Sequence, residues 1–147
     1  MPFTYKIEPT LGLILYTGFD TNSTEMLRAE KAASNDPMRL PSMKIIVDLS
    51  QAELDISLND VYEAIKMNSE RMKKGGDLES TAFISHSRFA ELMGDTFRLI
   101  GEGLPLHFGI FSTLPDAIKW LGLWDKEVII SETLNEMMTN LKKYAVV

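Results

Sequence analysis

Cysteine is absent from the 147-residue sequence, and histidine occurs only twice. Without thiols the chain has no disulfide, no thiolate nucleophile and no cysteine-based metal site. Two histidines that lie far apart in the sequence are too few for a histidine-rich metal centre. We therefore predict a protein that uses neither a metal nor a cofactor.

Basic charge and long apolar runs are also scarce. The formal net charge is −6, and without a basic cluster to neutralise phosphates we expect no nucleic-acid partner. No apolar run is long enough to span a bilayer, and the N-terminal MPFTYKIEPT lacks the basic lead of a secretory signal. The expected location is the cytoplasm.

The sequence contains enough apolar surface for one core. Hydrophobic residues make up 45% and charged residues 24% of the chain, a balance that is typical of a globular protein rather than a disordered one. The length matches the usual size of one domain, so we predict a single domain over residues 1–147.

The most strand-like stretch is Lys44 to Ser50, which reads KIIVDLS. Its β-branched apolar residues predict a buried central strand. The residues from Phe3 to Ile7 alternate between apolar and polar, and Leu13 to Thr17 follow after a turn-forming segment, which predicts an antiparallel hairpin. Two more strands are predicted further along the chain, Ser80 to Ser85 and Leu106 to Ser112.

Helical periodicity occupies most of the chain between these strands. Serine and threonine residues at the predicted N-termini are suited to cap the first turns. The predicted helices run from Ser23 to about Asp36, from Ser57 to Lys74, from Phe89 to Ile100 and from Thr113 to Gly122, and a terminal helix is capped by Ser131 after a brief extended piece, Val128 to Ile130. On the terminal helix, Met137 and Met138 suit either core packing or an adaptable partner-binding face.

Strands separated by helices predict right-handed crossovers and parallel pairing. Together with the opening hairpin, this order predicts an α/β fold. It consists of a single-layer mixed sheet of about five strands, packed with about five helices.

Two stretches resemble a known family. The strand ending Val47–Ser50, with its loop into a helix at Ser57, resembles the STAS domain of anti-sigma factor antagonists, and FSTLPDAIKWLG at 111–122 is similar to bacterial SpoIIAA-like proteins. In that family an Asp-Ser-Ser-Gly run follows the strand, and its first serine accepts phosphate and controls binding to a kinase-like partner. This chain reads Ile56–Asn59, ISLN, at that place. The resemblance therefore implies a bacterial STAS-like domain with Ser57 as the candidate phosphoacceptor.

Ser57 also has a purely structural interpretation. Serine is a preferred N-cap residue, whose hydroxyl accepts an N–H group of the first helical turn. Both roles stay open on the sequence alone.

Polar side chains follow the carboxyl ends of the predicted parallel strands, where ligands bind in open α/β sheets. They are Asp48, Ser50, Ser85, His86, Ser112 and Thr113. Three of them, with one carboxylate of the following loop, are our candidates for a ligand or partner surface: Asp48, Ser50, Asp55 and His86. A Ser-His-Asp relay could be drawn from the set, but the chain has no Gly-x-Ser-x-Gly elbow to expose a nucleophile.

We predict a non-enzymatic regulatory or scaffold module that contacts a protein partner through the surface near Gln51 to Asp60. The alternative is a small-molecule or lipid carrier of SEC14-like architecture, whose methionine and aromatic side chains would line a pocket for a small apolar ligand. A hydrolase that uses the strand-end serine, histidine and aspartate is the third interpretation. A free edge of the mixed sheet would also support a homodimer.

Overall fold

A computed structural model describes residues 3–40, 42–52, 63, 66, 80–86 and 107–145. Five strands in these ranges form one sheet in the order β1-β2-β3-β4-β5. They are β1 (Phe3–Glu8), β2 (Leu13–Gly18), β3 (Lys44–Asp48), β4 (Ser80–Ile84) and β5 (His107–Phe111). β1 and β2 pair antiparallel and every later pair is parallel. The KIIVDLS stretch therefore does supply the central strand.

Three α-helices lie in the described part of the chain. They are α1 (Ser23–Ser34), α2 (Leu114–Leu121) and α3 (Glu127–Ala145). The other two predicted helices, 57–74 and 89–100, fall outside the described residues, except that Glu63 and Lys66 have helical backbone. The mixed sheet with its helices confirms the predicted α/β class.

Both faces of the sheet are covered, because successive residues of a strand point to opposite sides. On one face, Ile14 of β2 and Ile45 of β3 pack in a cluster with Ala29 and Ala33 of α1. The small alanines let α1 lie close to the sheet. The opposite cluster is built from β2, β3, β4, α2 and α3, and it contains Leu13, Leu15, Ile46, Ala82, Ile84, Ala117, Ile118, Leu121, Ile130 and Leu134. Double burial explains why KIIVDL is almost continuously apolar.

The helix α2 is fixed at both ends. Thr113 Oγ1 accepts the N–H of Asp116 at 3.3 Å, which confirms the predicted N-cap. At the other end, Gly122 takes the left-handed φ of 74° that ends the helix. Lys44 Nζ donates to the carbonyl of Leu121 at 2.6 Å, so a positive charge from the start of β3 satisfies a terminal carbonyl of α2.

The prediction of an extended piece at Val128 to Ile130 is wrong. These residues are helical, because α3 begins at Glu127 and follows directly from a 3-10 turn at Trp124–Lys126. Ser131 therefore lies inside the helix and does not cap it. The β-branched run favours a strand locally, but Ile130 and Leu134 are buried at four-residue spacing, and their packing outweighs that preference.

Core packing is the use that the structure shows for the methionines of α3. The side chains of Met137 and Met138 are both buried, and Met137 belongs to the cluster beneath α2 and α3.

A polar network joins the opening hairpin to the end of α1 and the segment after it. Tyr5 Oη donates to Asp36 Oδ2 at 2.9 Å, and the Tyr16 hydroxyl donates to Glu30. The guanidinium of Arg39 pairs with the same Glu30 carboxylate at 3.4 Å. The network fastens residues 36–39 against the hairpin.

Alkaline pH should weaken the fold through Tyr5. Burial, then the hydrogen bond to Asp36 and the negative charge of that carboxylate, raises the pKa of Tyr5 above its ordinary value of about 10. The unfolded chain therefore loses this proton first. Stability is intact below about pH 10 and falls as the pH rises from there through the folded-state pKa.

We expect urea unfolding of the wild type to show this decline as the pH rises above about 10, whereas Tyr5→Phe removes part of it. If the free energy of unfolding of Tyr5→Phe declines as much as that of the wild type, titratable groups other than Tyr5 cause the loss at alkaline pH.

Candidate functional site

The carboxyl ends of the parallel strands β3, β4 and β5 lie side by side. The N–H of Leu49 donates to the Ile84 carbonyl at 2.8 Å, and the N–H of Ser85 donates to the Phe111 carbonyl at 3.0 Å. These bonds extend the ladder one residue beyond the strands. We call the resulting rim the carboxyl edge and define it as Asp48–Ala52, Ser85–His86 and Ser112–Thr113.

Asp48 and Ser50 form a closed turn at the start of this edge. Asp48 Oδ1 accepts both the N–H of Ser50 at 3.0 Å and its hydroxyl at 2.6 Å. The backbone of the same turn is held by an N–H from Ala52 to Leu49 at 3.1 Å. Leu49 and Ala52 are buried and anchor the turn in the core. The hydrogen bonds of Ser50 are charge-assisted, because their acceptor is the Asp48 carboxylate.

The turn is also tied to the last turns of α3. Lys142 Nζ donates to Gln51 Oε1 at 2.8 Å and lies 5.9 Å from the centroid of the Phe19 ring, within cation–π range. Gln51 and Lys142 are both exposed. This link brings an otherwise separate helix end to the carboxyl edge, and nothing local in the sequence indicates it.

The other strand-end residues are placed differently. Ser85 is buried, whereas His86 and Ser112 are exposed, and Thr113 is engaged as the cap of α2. Within the described residues, the acceptor for Ser50 is Asp48, and no hydrogen bond joins His86 to either of them. The structure thus brings Asp48 and Ser50 into contact and places His86 at the end of the neighbouring strand β4, on the same rim but without a bond to either of them.

Asp55 and Ser57 lie outside the described residues, so both proposed roles of Ser57 stay predictions. The described range 42–52 ends at Ala52, directly after the anchored turn and three residues before Asp55.

The described residues contain neither a metal-binding cluster nor a membrane-spanning helix. No cluster of three or more histidine and carboxylate side chains in these ranges could hold a metal ion. None of the helices within them is long and apolar enough to cross a membrane.

The fold is similar to that of a solved structure. An uncharacterised protein of the DUF3478 family with a SpoIIAA-like fold, from Shewanella loihica PV-4, superposes with a TM-score of 0.50 at 17% sequence identity, over 82% of this chain and 94% of that chain. No protein-family model and no curated protein matches the sequence. At this identity the similarity concerns the fold. The chain has a SpoIIAA-like, STAS-like α/β fold, as the resemblance of its strand and of residues 111–122 implied.

Proposed function

We propose that this protein is a non-enzymatic regulatory or scaffold module that binds a protein partner through the carboxyl edge, with Gln51 to Asp60 as the contact segment. The observation that carries the proposal is the anchored turn from Asp48 to Ala52. It ties the exposed Gln51 at the start of that segment to the end of β3 and to α3, through the bonds of Asp48 to Ser50 and of Lys142 to Gln51. A fixed starting point lowers the ordering cost of binding.

The chemistry of the strand-end hydroxyls supports a binding role. The hydroxyl proton of Ser50 is donated to Asp48, and the oxygen of Thr113 accepts an N–H of α2. Both groups serve local structure. In contrast, His86 is exposed along the rim and is available to a polar group of a partner.

The proposal is tested on full-length protein, with a partner captured from the source cell and then purified. We expect Gln51→Arg to weaken binding about tenfold, because the new cation repels Lys142 and disrupts the tether. Met38→Ser, an exposed position on another part of the surface, is the matched control and should bind like the wild type. If Gln51→Arg also binds like the wild type, the carboxyl edge is not the contact surface.

Ser57 is tested in the same assay with Ser57→Ala and Ser57→Asp. A phosphorylation switch predicts about a tenfold difference in affinity between the two variants, because the added carboxylate imitates part of the phosphate charge. Equal binding would leave Ser57 a capping role alone.

Native mass spectrometry of the purified protein distinguishes the module from a carrier. An extra mass that denaturation releases would contradict the proposal and favour a small-molecule or lipid carrier.

A further inference from the structure

Three large apolar side chains stand exposed at the start of α3. Trp124 is 65%, Val128 70% and Ile129 49% exposed. We call these three residues the apolar patch. A cluster of this kind on a protein surface marks a contact site more often than isolated apolar residues do.

The backbone fixes the patch on the face of α3 that points away from the core. The 3-10 turn continues directly into α3, since the N–H of Glu127 bonds to the Trp124 carbonyl. Trp124 in this turn and Val128 in the first turn of α3 are both exposed. The opposite side is anchored in the core by Leu123 and Ile130. The patch is therefore exposed because of its position on the helix, while the neighbouring core residues stay buried.

Acidic residues predominate along the segment that carries the patch. The segment from Trp124 to Glu136 has four acidic side chains and one lysine, a net charge of −3. Glu132 and Glu136 are exposed and continue the four-residue spacing of Trp124 and Val128. The outer stripe of α3 thus begins apolar and becomes acidic within one turn.

The apolar start and acidic continuation of this stripe favour one kind of binding partner over two others. A second copy of the chain would bring two acidic stripes together, and an anionic membrane surface would repel the same carboxylates. A segment with apolar side chains beside lysine or arginine fits both parts of the stripe.

We propose that the apolar patch, with Glu132 and Glu136, binds a basic amphipathic segment of a protein partner. Apolar residues of that segment cover Trp124 and Val128, and its cations pair with the two glutamates. This surface differs from the carboxyl edge, because Val128 and Lys142 are separated by about 21 Å along α3 at about 1.5 Å per residue. Binding at the apolar patch would therefore be separate from binding at the carboxyl edge, and either can be absent without the other.

The test is calorimetric titration of the full-length protein with a synthetic helical peptide that has leucine on one face and lysine on the other. We expect binding that weakens with added salt. Val128→Glu should weaken it about tenfold or more, since it places a charge in the apolar contact. Met38→Ser removes an exposed apolar group of the segment between α1 and β3, and this variant should bind like the wild type.

Charge is tested with the same peptide carrying glutamate in place of lysine, and with the double variant Glu132→Lys, Glu136→Lys. The acidic peptide should bind the wild type at least about tenfold more weakly, and the double variant should reverse this preference. Equal affinity for both peptides, or no binding of either, overturns the proposal. Self-association or binding to phosphatidylglycerol vesicles that Val128→Glu abolishes would overturn it in favour of a second copy or a membrane surface.

Discussion

Replacing Arg39 by methionine should lower the free energy of unfolding by about 3 kcal/mol. The side chains of Arg39 and Glu30 are only 7% and 15% exposed, with Arg39 Nη1 3.4 Å from Glu30 Oε1. In wild type the guanidinium balances the charge of a carboxylate that is largely removed from water. Methionine fills a similar volume but leaves that carboxylate buried beside an apolar group, which is the costly part of breaking a buried pair.

Urea unfolding of single and double variants measures this effect. In the wild type the Tyr16 hydroxyl donates to Glu30. Arg39→Met combined with Glu30→Gln should therefore recover most of the loss, because the neutral amide still offers an oxygen to that hydroxyl. The matched control is Lys6→Met, in the exposed pair of Lys6 with Glu8, where the atoms are closer at 3.1 Å but the side chains are 47% and 24% exposed. That change should cost no more than about 0.5 kcal/mol. Equal losses from Arg39→Met and Lys6→Met would show that water screens both pairs alike.

The sheet was predictable because its signals are local and agree with one another. The run from Ile45 to Val47 is apolar on both faces, and Phe3 to Ile7 alternate ahead of Pro9 and Gly12. Burial on two faces and the turn geometry impose those patterns directly. The parallel pairing of the later strands then follows from the helices predicted between them.

The start of α3 was not predictable in the same way. Val128, Ile129 and Ile130 form a β-branched run that favours a strand, and the burial of Ile130 against the sheet decides for the helix only in the folded protein. The same error concealed the apolar patch. Had the helix been extended back to Trp124, the four-residue spacing would have placed Trp124 and Val128 on one outward face.

At the candidate site, too, some features were predictable from the sequence and others were not. The strand-end rule placed Asp48, Ser50 and His86 along one rim, and the structure confirms that placement. The contact between Gln51 and Lys142 joins residues 91 positions apart. Such a contact depends on where the long α3 helix ends over the sheet, for which the sequence has no local signal.

Gly109 occupies a crowded position on the face of β5 that α2 covers. His107, Gly109 and Phe111 alternate along one face of the strand. The Trp120 ring stacks on His107 with centroids 4.7 Å apart and tilts against Phe111 at 5.4 Å. A Cβ atom at Gly109 would lie 2.8 Å from the Phe111 ring and 3.5 Å from Trp120. The absence of a side chain therefore makes room for this aromatic group.

We expect Gly109→Val to lower the free energy of unfolding by about 2 kcal/mol, because the Phe111 ring must move into space that Trp120 occupies. Urea unfolding measures the loss. Tryptophan emission in a Trp124→Phe background reports on Trp120, and it should shift to the red as that ring gains exposure to water.

Two further variants separate crowding from backbone strain at glycine. Gly122 has a φ of 74° with nothing within 4 Å of its Cβ position, so Gly122→Ala costs about 1 kcal/mol through the left-handed backbone alone and leaves the Trp120 emission in place. Adding Phe111→Leu to Gly109→Val should recover part of the stability, since the shorter side chain yields the space that valine needs. If Gly109→Val costs less than Gly122→Ala and the emission does not shift, the Phe111 ring turns aside freely and the aromatic group does not require glycine.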